Sequence, residues 1–461
     1  MTEQDSTPAP PMSVQRLHDL IENGHVDTVL VVFTDVQGRL VGKRLHGRHF
    51  VDQVLSSGTE APGHLLSVDA DMNPVPGYAL ASWDKGYGNL LLRPDLNTLR
   101  AAPWLPASVI VQADPQWPTG EPVQESPRQI LAVQTAKAVD LGYAPLGSSS
   151  LEFMVFEEDY DKAWDDRYTS LTPSNRYSCD HSIIATSRVE PLLRDLRNAM
   201  YASGMTVQGV RGERNRGQHE LVFTCTDLLT AADQHAVYKT AAKEISARHG
   251  KSLTFMAKVD DGPGNGGHVQ MSLRGQDGTL AFVTDDEIEG PTRNDVFRSF
   301  VAGILTTMRE FSLFYAPNVN SYKRFRPESF APTAIAWGED NRSCAIRVVG
   351  DGESLRVENR VPGADANPYL AMAAMLAGGL FGLRTGLPLE APLVGNAYTA
   401  QRQRVPGTLR EARDLFAGSV LARDSFGDDV VDHYVHAADI ELDAFESVVT
   451  DWERVRGFER L

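Results

Sequence analysis

Residues 264–272 read GNGGHVQMS, a glycine-rich turn followed by strict alternation of polar and apolar residues. Side chains two positions apart on a β-strand share a face, so His268, Gln270 and Ser272 lie together, opposite Val269 and Met271. A neutral imidazole can bind a metal ion, and glycines allow a ligand to approach the backbone closely. A histidine after a short glycine-rich turn is also common as a purely structural feature.

Three other stretches have the same character: SLE at 150–152, ERNRGQHE at 213–220 and RVENR at 356–360. Burying such polar faces is costly unless metal ions or an anionic ligand neutralise them. The carboxylates of Glu152, Glu213 and Glu220 would repel one another unless a divalent cation lies among them, and Mg²⁺ or Mn²⁺ prefers such oxygen ligands. The alternative is that each glutamate is solvated or pairs with a nearby arginine.

A set of arginines forms the third group of candidates, because the guanidinium group is the preferred planar donor to carboxylates and phosphates. In a regular strand Arg342 and Arg347 would point to opposite faces, so both can reach one site only if a bulge or the start of a loop intervenes. The alternative is a surface network of salt bridges. The set is Arg324, Arg342, Arg347, Arg356 and Arg360.

Composition excludes several classes of protein. The chain has 461 residues, a net charge of −17 and a pI near 5.2, which argues against binding to nucleic acid. Neither a dinucleotide fingerprint nor a P-loop is present. The three cysteines are far apart and lack CxxC spacing, as is typical of a reducing compartment. We find no signal-peptide pattern and no 18-residue apolar run, so we expect a cytoplasmic protein without a membrane segment.

Periodicity predicts an α+β protein. Residues 1–12 are expected to be a disordered tail, 13–115 a small β-rich domain, and 120–461 a larger domain, with a proline-rich linker at 114–127. The expected elements of the small domain are a helix at 13–23, a hairpin at 26–44 and strands near 65–68, 90–92 and 108–113. Those of the large domain are helices at 128–141, 189–202, 230–249, 294–315 and 368–384, a largely helical segment after 409, and strands at 151–156, 218–224, 267–273, 343–348 and 354–361.

Taken together, these motifs resemble the glutamine synthetase family, and more closely its γ-glutamyl-amine ligase branch. Besides the stretches above, the match includes TFMAK at 254–258, NSYKR at 320–324, NRSCAIR at 341–347 and NPYL at 367–370. They keep the order and spacing of the family from about residue 26 onward. The resemblance implies an N-terminal β-grasp domain, a catalytic domain with a curved antiparallel sheet and outer helices, and active sites between the subunits of a homo-oligomer that is a dodecamer.

The resemblance also implies roles for individual residues. Glu152, Glu213 and Glu220 are expected to bind the first divalent ion, and His268 and Glu358 the second. Arg324 and Arg360 are expected to hold glutamate near the Gly264 backbone. ATP is expected to contact Gln270, Ser272, Arg342, Arg347 and Arg356, with Arg342, Arg324, Glu358 and Asp69 taking part in catalysis.

The chain departs from the family pattern where an ammonia-using enzyme binds ammonium. Phe330 occupies the position of a flap glutamate, and Val68-Asp69-Ala70-Asp71 replaces the usual DGSS element. An apolar ring can line a wider pocket for an alkyl amine, so we expect an organic amine as acceptor, with Asp69 or Asp71 attracting its charge. Glu328 lies two residues away, so a small shift in alignment would weaken this interpretation.

Two further departures concern the metal and nucleotide sites. Ser150 replaces a family glutamate at the second metal, and Gln270 replaces a histidine that faces the nucleotide. We therefore expect a working ligase with a weaker second metal site.

The expected activity joins the γ-carboxylate of glutamate to a polyamine or to a monoamine such as ethanolamine through γ-glutamyl phosphate, at the expense of ATP. The alternatives are an ammonia-using glutamine synthetase, a ligase of a specialised pathway, and a catalytically impaired sensor or structural oligomer. Tyr398 lies near a position that some relatives adenylylate, but a packing role is the favoured interpretation.

Overall fold

The computed structural model describes residues 12–286 and 290–461, so the predicted tail lies, except for Met12, outside the described residues. Two β-sheets dominate the chain, one formed before residue 117 and the other between residues 143 and 359. The predicted α+β class is confirmed. Among the described residues, no helix combines the length and the apolar composition needed to cross a bilayer.

The first sheet has six strands in the order β2-β1-β6-β4-β3, with β5 paired to β6. The helix α1 (Val14–Glu22) precedes it, and α2 (Gly47–His49) and α3 (Leu55–Ser57) flank a π-helical turn. The strands are β1 (Thr28–Thr34), β2 (Leu40–His46), β3 (Thr59–Pro62), β4 (Asn89–Pro94), β5 (Arg100–Ala101) and β6 (Ser108–Gln116).

The predicted hairpin is confirmed as the antiparallel pair β1 and β2. Its turn is fixed by Asp35, whose buried carboxylate accepts hydrogen bonds from the backbone N–H groups of Gln37 and Arg39 and from Arg39 Nε. Gly38 follows with φ 81°, a backbone conformation that favours glycine. This turn therefore places Arg39 in a defined position at the edge of the sheet.

The second sheet has nine strands in the order β15-β16-β17-β12-β7-β9-β8, with β10 and β11 attached to β7. All its pairs are antiparallel except β15 with β16. A separate hairpin pairs β13 (Val283–Asp286) with β14 (Gly290–Arg293). The sheet strands are β7 (Tyr143–Phe156), β8 (Val207–Gly212), β9 (Gln218–Phe223), β10 (Thr226–Asp227), β11 (Ser252–Thr254), β12 (Gly267–Gly275), β15 (Trp337–Glu339), β16 (Ile346–Val349) and β17 (Arg356–Asn359).

Helices cover one face of this sheet, where apolar residues such as Leu151, Phe153, Val269 and Met271 are almost completely buried. The opposite face is left for polar side chains. The helices after the first sheet are α4 (Pro127–Asp140), α5 (Tyr160–Asp165), α6 (Ile183–Thr186), α7 (Glu190–Ala202), α8 (Leu228–Arg248), α9 (Asp295–Thr307), α10 (Ser312–Tyr315), α11 (Pro368–Thr385), α12 (Leu409–Ala417), α13 (Val420–Phe426), α14 (Asp428–Glu446) and α15 (Asp451–Gly457).

A buried arginine connects the two parts of the chain. Arg128, at the start of α4, donates to Asp95 and Asp114 at 2.7 Å and to Asp233 of α8 at 3.0 Å. Buried ion pairs are costly to break, because removal of one partner leaves an uncompensated charge. This cluster therefore fixes the first sheet against the helices that support the second.

Three predicted elements were wrong in detail. Residues 65–68 do not form a strand: Gly63–Leu66 is a single 3₁₀ turn that buries Leu66, and short apolar runs do not distinguish these cases. The single helix expected at 294–315 is broken after Thr307, where the hydroxyl bonds back to the Gly303 carbonyl. The linker begins later than expected, because β6 continues to Gln116. Where the domain boundary falls remains a prediction.

Candidate active site

The register of the second sheet brings the polar residues together on one face. Glu152 of β7 lies directly opposite Glu220 of β9, and Ser150 lies opposite His268 of β12. On the other side, Glu358 of β17 lies between Gln270 and Arg347. Directly opposed residues have neighbouring Cβ atoms on the same face. They line one cavity of about 470 Å³.

The cavity contains most of the residues singled out from the sequence. The loop start that Arg342 and Arg347 required is present, because Arg342 lies in the turn before β16. The predicted residues that line it are Glu152, Glu213, Glu220, Gly264, His268, Gln270, Arg324, Phe330, Arg342, Arg347, Arg356, Glu358 and Arg360, together with Ser150.

Two predicted residues lie outside the cavity of the single chain. Ser272 lies two residues beyond Gln270 on β12, and Gln270 lines the cavity whereas Ser272 does not. Asp69 lies in the first part of the chain, where its carboxylate caps its own loop by accepting from the backbone N–H groups of Asp71 and Asn73. The expectation that Asp69 contributes to this cavity is therefore not met within one chain, because this turn holds its carboxylate elsewhere.

An acidic cluster with one imidazole forms the floor. Glu152, Glu220 and His268 each have a ligand atom within 4.8 Å of the others. Burial, followed by the Glu213 charge, raises the pKa of Glu152 to about 7. Burial, followed by the Glu152 charge, raises the pKa of Glu220 to about 8. Crowded buried carboxylates of this kind are stabilised by a cation.

The donor set fits a divalent metal. Glu220 Oε2 is buried, has no hydrogen bond, and contacts the guanidinium of Arg211. Burial, and then the positive charge of Arg360, lowers the pKa of His268 well below its usual value, which keeps the imidazole neutral as a metal ligand must be. Glu213 lines the same cavity. Oxygen ligands with one nitrogen suit Mg²⁺ or Mn²⁺.

A glycine-rich loop shapes the cluster from one side. The Gly266 N–H donates to Glu152 Oε2 at 2.7 Å, and a Cβ on Gly266 would approach His268 Nε2 to 2.7 Å. A Cβ on Gly264 would lie 2.4 Å from the Ala257 carbonyl oxygen and 2.8 Å from Arg324 Cγ. All three Cβ distances are shorter than real Cβ contacts allow, so positions 264 and 266 require glycine.

Arginine side chains line much of the rest of the cavity. Arg347 and Arg360 clamp the Glu358 carboxylate at 2.9 and 3.0 Å, and His268 Nδ1 lies 3.4 Å from it. Arg356 donates to Gln270 Oε1 at 2.8 Å. Arg342 is more than half exposed, and its Nη1 lies 3.8 Å from Asp340 Oδ1. Such donors suit carboxylates and phosphates.

Phe330 and its neighbours close one side. The guanidinium of Arg214 lies 4.6 Å from the centre of the Phe330 ring, and Arg360 Nη2 donates to the Phe330 carbonyl at 3.3 Å. Phe330 has φ 64°, so the surrounding contacts hold it in a conformation that non-glycine residues rarely adopt. The Tyr398 hydroxyl donates to the next carbonyl, that of Ala331, at 3.1 Å, which fits the packing role expected for it.

Sequence reasoning missed several lining residues: Asp180, His181, Gln208, Arg211 and Arg214. Asp180 and His181 lie in an irregular loop, where periodicity gives no signal; the His181 N–H donates to the Gly212 carbonyl beside the acidic cluster. Arg211 could have been found, because it alternates with Glu213 at the end of β8.

Comparison with known proteins agrees with the family resemblance of the sequence motifs. The family model "Glutamine synthetase, catalytic domain" matches residues 124–456. The gamma-glutamylethanolamide synthetase GlnA4 of Streptomyces coelicolor is 53% identical over 98% of this chain and 97% of its own length. The glutamate–isopropylamine ligase of a Pseudomonas species is 34% identical, with coverage of 96% and 97%.

Solved structures share the fold. The structure of GmaS without ligand superposes with a TM-score of 0.82 at 25% identity, covering 95% of this chain and 98% of that one. Its ADP complex gives a TM-score of 0.83 at 24% identity, covering 96% and 99%. The chain belongs to the glutamine synthetase family.

Proposed function

We propose that this protein is an ATP-dependent ligase that joins the γ-carboxylate of glutamate to an organic amine. The observation that carries the proposal is the cavity that combines buried carboxylates and the neutral imidazole of His268 with seven arginines. The likeness to a gamma-glutamylethanolamide synthetase and to a glutamate–isopropylamine ligase supports an organic acceptor.

The reaction has two steps. A γ-carboxylate oxygen of glutamate attacks the γ-phosphorus of ATP, the bond to the bridging oxygen breaks, and ADP leaves. The amine nitrogen then attacks the carbonyl carbon of γ-glutamyl phosphate, phosphate leaves, and the acceptor has released two protons in going from ammonium to amide. Phosphoryl transfer of this kind depends mainly on positioning and on neutralisation of charge.

The side chains of the cavity divide this work. Arg324 and Arg360, both almost fully buried, would hold the carboxylates of glutamate beside Gly264. Arg342, Arg347 and Arg356 would bind the phosphates, with Gln270 and Ser272 towards the nucleotide. These assignments rest on motif position and on the guanidinium chemistry of the cavity.

Divalent ions complete the proposal. Glu152, Glu213 and Glu220 would hold one Mg²⁺ or Mn²⁺, and His268 with Glu358 would hold a second, more weakly, because Ser150 lies opposite His268 where the family has a glutamate. When bound, the ions would neutralise charge on the transferring phosphoryl group. The neutral His268 and the buried, crowded carboxylates support this arrangement.

Phe330 supports an organic amine rather than ammonia. Its ring is about half exposed at the cavity and carries no charge that could bind ammonium. It can pack against the methylene groups of an acceptor such as ethanolamine. Asp69 or Asp71 would contribute only from a neighbouring subunit, since Asp69 lies outside the cavity of its own chain.

We propose that the protein is a homo-oligomer and, from the family resemblance, a dodecamer. Exposed apolar residues near the end of the chain support an interface with another subunit. Val448, Val449, Trp452, Val455 and Phe458 are each more than half exposed. Large exposed apolar patches mark interaction sites. Sedimentation of the wild type and of Trp452→Glu tests this point: the variant should dissociate, and an unchanged oligomer would remove the support.

The free cysteines support a cytoplasmic location.

The test is phosphate release with glutamate, ATP and Mg²⁺ across ammonia, ethanolamine, isopropylamine, putrescine and spermidine. We expect release with at least one organic amine to exceed release with ammonia, and a product of the corresponding mass. A response to ammonia alone would overturn the choice of acceptor. Silence with every amine would favour the catalytically impaired alternative, which the serine at position 150 already suggests.

A further inference from the structure

Arg211 contacts different carboxylates of the cavity from those that Arg347 and Arg360 contact. It lies at the end of β8, directly opposite Glu220 of β9. Its Nε donates to Glu213 Oε1 at 3.0 Å, and its Nη2 forms an ion pair with Glu220 Oε2. Arg347 and Arg360, in contrast, contact only Glu358 among the proposed metal ligands.

The guanidinium of Arg211 therefore lies against two of the three carboxylates proposed to bind the first divalent ion. The guanidinium group of arginine is positive throughout the pH range in which proteins are stable. Glu220 Oε2 has this ion pair and no hydrogen bond, so the guanidinium lies where a metal ion would have to bind this oxygen. A divalent ion and a guanidinium cannot both lie against the same oxygen lone pairs.

We propose that Arg211 is a built-in competitor of the divalent ion: its guanidinium lies against Glu213 and Glu220 until a metal ion binds there and displaces it. The inference rests on the metal site of the proposed function. The side chain is 43% exposed, so it can move towards solvent when displaced. Arg211 is thus a positioning residue that sets the metal concentration at which the enzyme loads.

The test is calorimetric titration of the metal-free protein with Mn²⁺, without nucleotide, for the wild type and Arg211→Gln. Removal of one competing charge-assisted contact should tighten Mn²⁺ binding about tenfold, or about 1.4 kcal/mol. Arg211→Lys keeps the charge and should give an intermediate affinity. The matched control is Arg216→Gln, because Arg216 is an exposed arginine with no ion pair in the part of the chain that the structure describes.

Thermal unfolding in chelator gives a second measurement. Arg211→Gln should lower the melting temperature of the metal-free protein, and saturating Mn²⁺ should remove the difference from the wild type. Unchanged or weaker Mn²⁺ binding by Arg211→Gln would overturn the proposal and leave the metal site standing. Absence of Mn²⁺ binding by the wild type would overturn both.

Discussion

Replacing Glu220 by glutamine should stabilise the metal-free protein at alkaline pH although it removes a predicted metal ligand. Burial and the Glu152 charge raise the pKa of Glu220 from 4.5 to about 8. A carboxyl group with a higher pKa in the folded state binds protons more tightly when folded, so stability is lost as the pH rises from about 4.5 to 8. Each pKa unit corresponds to about 1.4 kcal/mol, so the ionised group costs on the order of 5 kcal/mol above pH 8.

The assay is thermal unfolding of the wild type and Glu220→Gln at pH 6 and pH 9, in chelator and in Mn²⁺. In chelator the variant should melt several degrees higher at pH 9, and its advantage at pH 6 should be less than half as large, because the wild type has then lost only part of this stability. In Mn²⁺ the order should reverse, because the wild type gains the metal and the variant has lost a ligand. Glu121→Gln, at an exposed site, is the control. A variant no more stable than the wild type in chelator at pH 9 would refute the reasoning.

Three other substitutions test separate parts of the site and fold. Ser150→Glu puts a carboxylate opposite His268, so the Mg²⁺ concentration for half-maximal activity should fall about tenfold, while Ser150→Ala should not lower it; an unchanged requirement would reject the weak second site. Phe330→Glu should lower kcat/KM for ethanolamine roughly 15-fold, as expected for two methylene groups at about 0.8 kcal/mol each, and raise it for ammonia. Phe330→Leu should retain the preference, and equal selectivity in all three proteins would contradict the acceptor assignment. Burial lowers the pKa of His433 to about 3, so stability is lost as the pH falls below 6.5, by about 1.4 kcal/mol per unit. His433→Gln should show a shallower acid dependence in urea titrations, and a slope equal to that of the wild type would count against this assignment.

The sequence predicts the part of the site that depends on alternation of polar and apolar residues along single strands. The polar face of 264–272 and the glutamates at 152 and 220 follow from the period of two. The pairing register does not, because it depends on long-range packing of the apolar faces. Only the structure shows that Glu152 lies opposite Glu220 and that Ser150 lies opposite His268.

The misses have physical reasons as well. Arg211 alternates with Glu213, but a lone arginine at a strand end usually faces solvent, so the pattern alone does not identify it as a site residue. Asp180 and His181 lie in a loop whose position is fixed by backbone hydrogen bonds to Gly212 and Glu213, which no local pattern reveals. The strand expected at 65–68 failed for the opposite reason: an apolar run was present, but it packs as a 3₁₀ turn.

Transfer of ¹⁸O from the γ-carboxylate of labelled glutamate tests the central claim most directly. If the carboxylate attacks ATP in this cavity and the amine then displaces phosphate, each turnover with ethanolamine must place one ¹⁸O atom in the released phosphate, as read by mass spectrometry. Phosphate that carries no label would mean that water, not glutamate, attacks the nucleotide, and would contradict the account.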